Sequence, residues 1–130
     1  MRIWVVLAIL FAGPVWAQDA DCPEAGSQNE TTFCAEQEWN AADADLNLAY
    51  QAALAYLKQI DADLAKADRG GVDFLRQAQR DWISFRDNAC AAEAFPMHGG
   101  SAEPMAIYAC RARLTRERAE ALAYISGYGN

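Results

Sequence analysis

Four cysteines, Cys22, Cys34, Cys90 and Cys110, all lie downstream of an apolar leader, and this arrangement constrains the chain more than any other feature. Met1-Arg2 supplies a short positive region, Ile3 to Phe11 is an almost unbroken apolar run, and Val15-Trp16-Ala17 offers small residues at a cleavage site before Gln18. That is the pattern of a secretory signal peptide over residues 1–17. A membrane anchor needs roughly 20 apolar residues, and about fifteen are available, interrupted by Gly13-Pro14. Asp19-Ala20-Asp21 before Cys22 is no lipid-attachment box. The mature chain, residues 18–130, is therefore expected to be soluble, free of a membrane anchor, and periplasmic or secreted. In an oxidising compartment the even cysteine count favours two disulfides. Zinc is the competing reading, but the chain has no C-x-x-C pair and a single histidine, His98.

The mature part reads as one domain of three helices, at about 28–66, 73–94 and 104–126. Ser27-Gln28-Asn29-Glu30 is a capping box, with a Ser N-cap and Glu three residues later. From there Trp39, Leu46, Tyr50, Leu54, Leu57, Ile60 and Leu64 form an apolar stripe of helical period, and Asp68-Arg69-Gly70-Gly71 stops it. The second helix carries Leu75, Ala78, Gln79, Trp82, Arg86, Ala89 and Cys90 on one face and ends at Phe95-Pro96. Met97 to Ser101 forms a Gly-rich loop. Pro104 suits the first turn of the third helix, which carries Ile107, Cys110, Leu114, Arg118, Leu122 and Ile125. No segment alternates with a two-residue period. The expected fold is all-α, a three-helix antiparallel bundle stapled by two disulfides.

A register estimate places the cysteines. Hairpins centred near residues 69 and 99 set Cys90 opposite position 108, so a Cys90–Cys110 bridge is natural. The same register puts Cys34 roughly 20 Å along the axis from Cys90, beyond the ~7 Å Cα limit of a disulfide. Cys22–Cys34 is then the preferred second bond. Each would close a short loop and stabilise by about 3 kcal/mol. This register also leaves Ser27 to Asn40 projecting past the second turn, with Trp39 at the edge beside the Phe95–Ser101 loop. Asp43 would lie near that loop and hold the Gly99-Gly100-Ser101 turn through its carboxylate.

Charge narrows the function. The net charge is −7, which becomes −8 once Arg2 leaves with the leader, so nucleic acid is excluded as a partner for want of a basic face. No Ser/His/Asp or Cys/His arrangement and no isolated carboxylate pair points to catalysis, and neither a metal nor a cofactor is expected. Arg86 and Gln79 interrupt an apolar stripe. As a buried charge Arg86 requires a structural partner, with Asp45, Asn47 and Tyr50 the nearest candidates. Asp43, Gln79, Arg86 and Arg118 are thus assigned structural polar roles. Candidate partner contacts are Trp39, read also as core, and the loop residues His98, Gly99, Gly100 and Ser101.

Taken together, Cys22, Cys34, Asp43, Leu46-Asn47 and Tyr50, then Leu75, Gln79, Trp82, Arg86-Asp87 and Cys90, then Gly99-Gly100-Ser101, Cys110, Leu114-Thr115, Arg118 and Leu122 form a specific pattern. It resembles the lysozyme inhibitor LprI N-terminal-domain family, small exported bacterial helical domains. The lipoprotein that names the family is lipid-attached, and this chain departs from it in lacking the lipid-attachment box. The resemblance implies an exported helical binding module, with a basic lysozyme or another cell-wall hydrolase as partner. The alternative is a periplasmic scaffold or protein-interaction domain with no lysozyme target.

Overall fold

The computed structural model describes Cys22 and residues 26–127, so the proposed leader over 1–17 lies outside the described residues. Helix α1 spans Gln28–Asp63, α2 spans Gly71–Ala94 and α3 spans Glu103–Ile125. Single 3-10 turns at Lys66–Asp68 and Phe95–Met97 sit in the two connections. The fold is the expected all-α bundle of three helices, and both disulfides are the expected pairs. Cys22–Cys34 has a Cα separation of 5.8 Å and Cys90–Cys110 one of 5.5 Å.

Helix α1 begins at the capping box. The Ser27 hydroxyl accepts from the Glu30 N–H, and the Glu30 carboxylate accepts from the Ser27 N–H at 2.7 Å. The helix runs for 36 residues, half as long again as α2. Its buried positions are Ala35, Ala42, Leu46 and Ala53, a seam of mostly small side chains that lets α3 approach closely. The α1–α3 interface is the most extensive in the molecule and runs parallel. Gln28 reaches Met105 at one end, and Glu38 pairs with Arg116 at 3.2 Å further along. Leu46, Ala53, Leu75 and Leu122 form the core, with Tyr50, Leu54, Leu57, Trp82 and Ile125 packed against it.

Three expectations change. Helix α1 stops at Asp63, before the expected end near 66, because Leu64 turns extended. Two side chains then exchange caps across the connection. The Asp61 carboxylate accepts from the N–H groups of Gly70, Gly71 and Val72 at 3.0–3.1 Å, which starts α2 two residues earlier than expected. In return Arg69 donates to the carbonyls of Leu64 and Ala62 near the end of α1. Second, Asp43 lies opposite Arg86, nine residues nearer the N-terminus than a hairpin centred on residue 69 requires. The early end of α1 accounts for part of that shift. Third, the segment from Ser27 to Asn40 does not project past the bundle, because its partner is the first half of α3.

The N–H groups of Val72, Gly70 and Gly71 hold the Asp61 carboxyl below its ordinary pKa. Because folding depresses this value, the stabilisation is complete above the unfolded-state pKa and is lost as pH falls through the folded-state one. Asp61→Ala is therefore expected to lower the Tm by a few degrees near neutral pH. Thermal scans toward acid should show the difference from the unsubstituted chain closing. A difference independent of pH would contradict a charged cap.

Candidate functional site

Trp82 and Arg86 are four residues apart and so share one face of α2. The Arg86 guanidinium lies over the Trp82 ring at 5.1 Å and over the Trp39 ring of α1 at 5.3 Å. Only 8% of the Arg86 side chain is exposed, so its charge needs compensation inside the protein. Asp87 provides it at 3.0 Å, and Asp43 stands at 3.9 Å. Asp43 also accepts from Asn47. The partners are therefore Asp43 and Asp87, where sequence reasoning favoured Asp45, Asn47 or Tyr50.

Helix α3 completes the cluster. Arg111 lies 4.8 Å from the centre of the Trp39 ring, which also stacks on Tyr108 at 5.7 Å. Its Nε is 3.2 Å from the same Asp87 oxygen, an ion pair without hydrogen-bond alignment. Two guanidiniums and two carboxylates from three helices thus surround two indoles, one helical turn from the Cys90–Cys110 bridge. Trp39 is half-buried here and not at the loop edge, and its Nε1 is buried without a partner among the described residues. Every carboxylate of this cluster is engaged by a cation, so its chemistry is cohesion and recognition.

The second element is the loop between α2 and α3. Gly99 has φ of +77°, a left-handed conformation suited to glycine. The loop is held by Glu103, in the first turn of α3. One oxygen meets His98 Nδ1 at 2.9 Å, and the other accepts from the Gly99 N–H at 2.8 Å. These two contacts, His98 first, hold the Glu103 carboxyl below its ordinary pKa. The role expected of Asp43 therefore belongs to Glu103, since Asp43 is turned to Arg86. The signal was available, because an acid in a first helical turn is placed to meet free N–H groups before it. Phe95 stacks on the His98 ring at 5.1 Å, and both side chains are largely exposed. Ser101 is exposed in the same loop.

Gln79 and Arg118 pair with each other, Nε to Oε1 at 3.0 Å, and so tie α2 to α3. Charge is distributed unevenly. Between Gln18 and Leu57 the sequence has eight carboxylates and no lysine or arginine, whereas from Lys58 onward ten of each sign cancel. The whole net charge of residues 18–130 therefore sits on the first half of α1 and the segment that Cys22–Cys34 ties to it. Because Gln28 meets Met105, that acidic half lies at the same end of the bundle as the His98–Ser101 loop. Among the described residues no group of three His, Cys, Asp or Glu is placed to hold a metal, and no helix is long and apolar enough to cross a membrane.

Comparison with known proteins matches residues 19–122 to a family model described as lysozyme inhibitor LprI. A relative from Rhizobium meliloti (strain 1021), uncharacterized protein R02472, is 39% identical over 117 residues, covering 86% of this chain and 84% of the relative. Uncharacterized protein YecT of Escherichia coli (strain K12) is 36% identical over 76 residues, 54% of this chain and 47% of YecT. No solved structure matches.

Removing Arg86 strips the filling between two indoles, leaves Asp43 without its cation and leaves Asp87 with Arg111 alone. Arg86→Ala is expected to cost about 3 kcal/mol in urea unfolding. Arg86→Lys should recover less than half of that, since an ammonium cannot lie flat between two rings; a loss below about 1 kcal/mol on removal would make the cluster peripheral. In the loop, Glu103→Ala should speed amide exchange at Gly99 while leaving the helical circular dichroism unchanged. Unaltered exchange there would refute the Glu103 clasp.

Proposed function

This chain belongs to the lysozyme inhibitor LprI family, and from that premise we propose that it is an exported, non-enzymatic binding module that inhibits a basic lysozyme or a related cell-wall hydrolase. The family match carries the reading. The placement of charge supports it: residues 18–57 carry eight carboxylates and no lysine or arginine, and that excess attracts a basic enzyme and raises its association rate.

Contact then falls to the His98-Gly99-Gly100-Ser101 loop between α2 and α3. Its backbone conformation is fixed by Glu103, and it carries the exposed Phe95 and His98 rings. A preformed loop loses little conformational freedom on entering a cleft. Trp39 contributes from beneath, as the ring on which Tyr108 and Arg111 are ordered. An inhibitor of this size would cover the cleft with roughly 800 Å² per partner. The two disulfides suit an oxidising compartment, and the module acts in the periplasm or outside the cell.

A turbidity assay with the purified mature protein and a basic lysozyme tests this directly. Inhibition is expected at low salt and should weaken at physiological salt, where screening sets in over about 8 Å. No inhibition at micromolar excess and low salt would reject that enzyme as the target and favour a scaffold role. Reversing two carboxylates at the acidic end, Glu36→Lys with Asp45→Lys, should slow association about tenfold at low salt and far less at high salt. An unchanged rate would remove electrostatic steering from the mechanism.

A further inference from the structure

A trough of about 380 Å³ opens between the end of α1, the start of α2 and the end of α3. Leu57, Phe74, Leu75, Ala78 and Ile125 line it, and Arg118 is its one charged wall residue. Among the described residues no carboxylate lies within ion-pair distance of Arg118, unlike Arg86, Arg111, Arg113 and Arg116. Its Nε is fixed by Gln79 at 3.0 Å, which orients the guanidinium plane and leaves the two terminal nitrogens without a partner among the described residues. Partial burial disfavours the charged form of this side chain, a cost that an arriving anion would offset. Arg118 and Ile125 are seven residues apart on α3, so the apolar wall extends about 10 Å from the charge. Phe74 stands over the trough with 79% of its surface exposed.

We propose that this trough binds a single-chain carboxylate, a medium-length fatty acid, with its head group on the terminal nitrogens of Arg118 and its alkyl chain against Leu57, Phe74 and Ile125. Charge complementarity selects the occupant. The guanidinium accepts a carboxylate in a two-point contact, and the remainder of the lining offers only apolar contact. A second groove, lined by Leu48, Ala49, Ala52, Ala123 and Ser126, has no charged wall and gives no comparable discrimination. The site lies at the opposite end of the bundle from the His98–Ser101 loop, so it is independent of the inhibitor reading.

Calorimetric titration of the full mature chain with sodium decanoate tests the assignment, with decanol as the uncharged match. Saturable one-to-one binding of decanoate is expected, at least tenfold tighter than that of decanol. Arg118→Gln should weaken decanoate about tenfold and leave decanol unchanged. Ala78→Trp, which fills the trough and leaves Arg118 in place, should abolish both, with circular dichroism reporting that the helices are intact. Equal binding of the acid and the alcohol, or unchanged binding to either variant, would overturn the proposal. So would decanoate binding that appears only when residues 128–130 are removed, or a dimer dissolved by Ala78→Trp, since each assigns the trough to another occupant.

Discussion

A guanidinium held between two indoles is the contact on which the arrangement of this bundle depends. Arg86 is the point where α1, α2 and α3 meet through side chains that only one register satisfies. Trp39 and Asp43 come from α1, Trp82 and Asp87 from α2, and Arg111 closes on Asp87 from α3. An apolar core of alanines and leucines tolerates sliding, because one small residue replaces another at each helical turn. A buried cation does not, since moving it by one turn strands its charge. The Cys90–Cys110 bridge, one turn further along α2, ties α2 to α3 and so reinforces their part of that register.

Much of this architecture is readable from local chemistry. The Ser27–Glu30 box announces the start of α1, Pro96 the end of α2 and Pro104 the start of α3, because caps and prolines act over three or four residues. Cys90–Cys110 also follows from a register that is approximate, since a bridge between adjacent helices tolerates an error of a residue or two, and Cys22–Cys34 is the pair that remains. What was not legible depends on contacts distant in sequence. That α1 packs chiefly on α3, in parallel, follows from its alanine seam meeting the alanines of α3, and no local pattern distinguishes that pairing from the hairpin with α2. The misplaced role of Asp43 has the same origin. A nine-residue shift between α1 and α2 carried it from the Gly-rich loop to Arg86, and Glu103 took the loop instead.

The exchange of caps between α1 and α2 shows how a charged residue can end one helix and begin another. Asp61 lies near the C-terminus of α1, where the helix dipole disfavours a carboxylate. It stays there because three N–H groups at the start of α2 accept its charge, while Arg69 covers the carbonyls that α1 leaves open. The Asp68-Arg69-Gly70-Gly71 segment reads as a simple stop signal. In the folded chain it is half of a reciprocal joint, and its glycines bring the backbone within reach of Asp61. A Cβ at Gly71 would meet both that carboxylate and Leu57 at 3.3 Å.

The parallel pairing of α1 with α3 also determines where a partner would be drawn. Charge in this chain is balanced from Lys58 onward, with ten carboxylates against ten lysines and arginines. The acidic excess lies wholly upstream. Had α1 projected beyond the bundle, as a hairpin register implies, its acidic turns would stand well clear of the α2–α3 loop. Because Gln28 sits level with Met105, the field and the ordered loop share one end of the molecule, separated by only a few helical turns. Attraction and contact can then act on the same face of a basic enzyme.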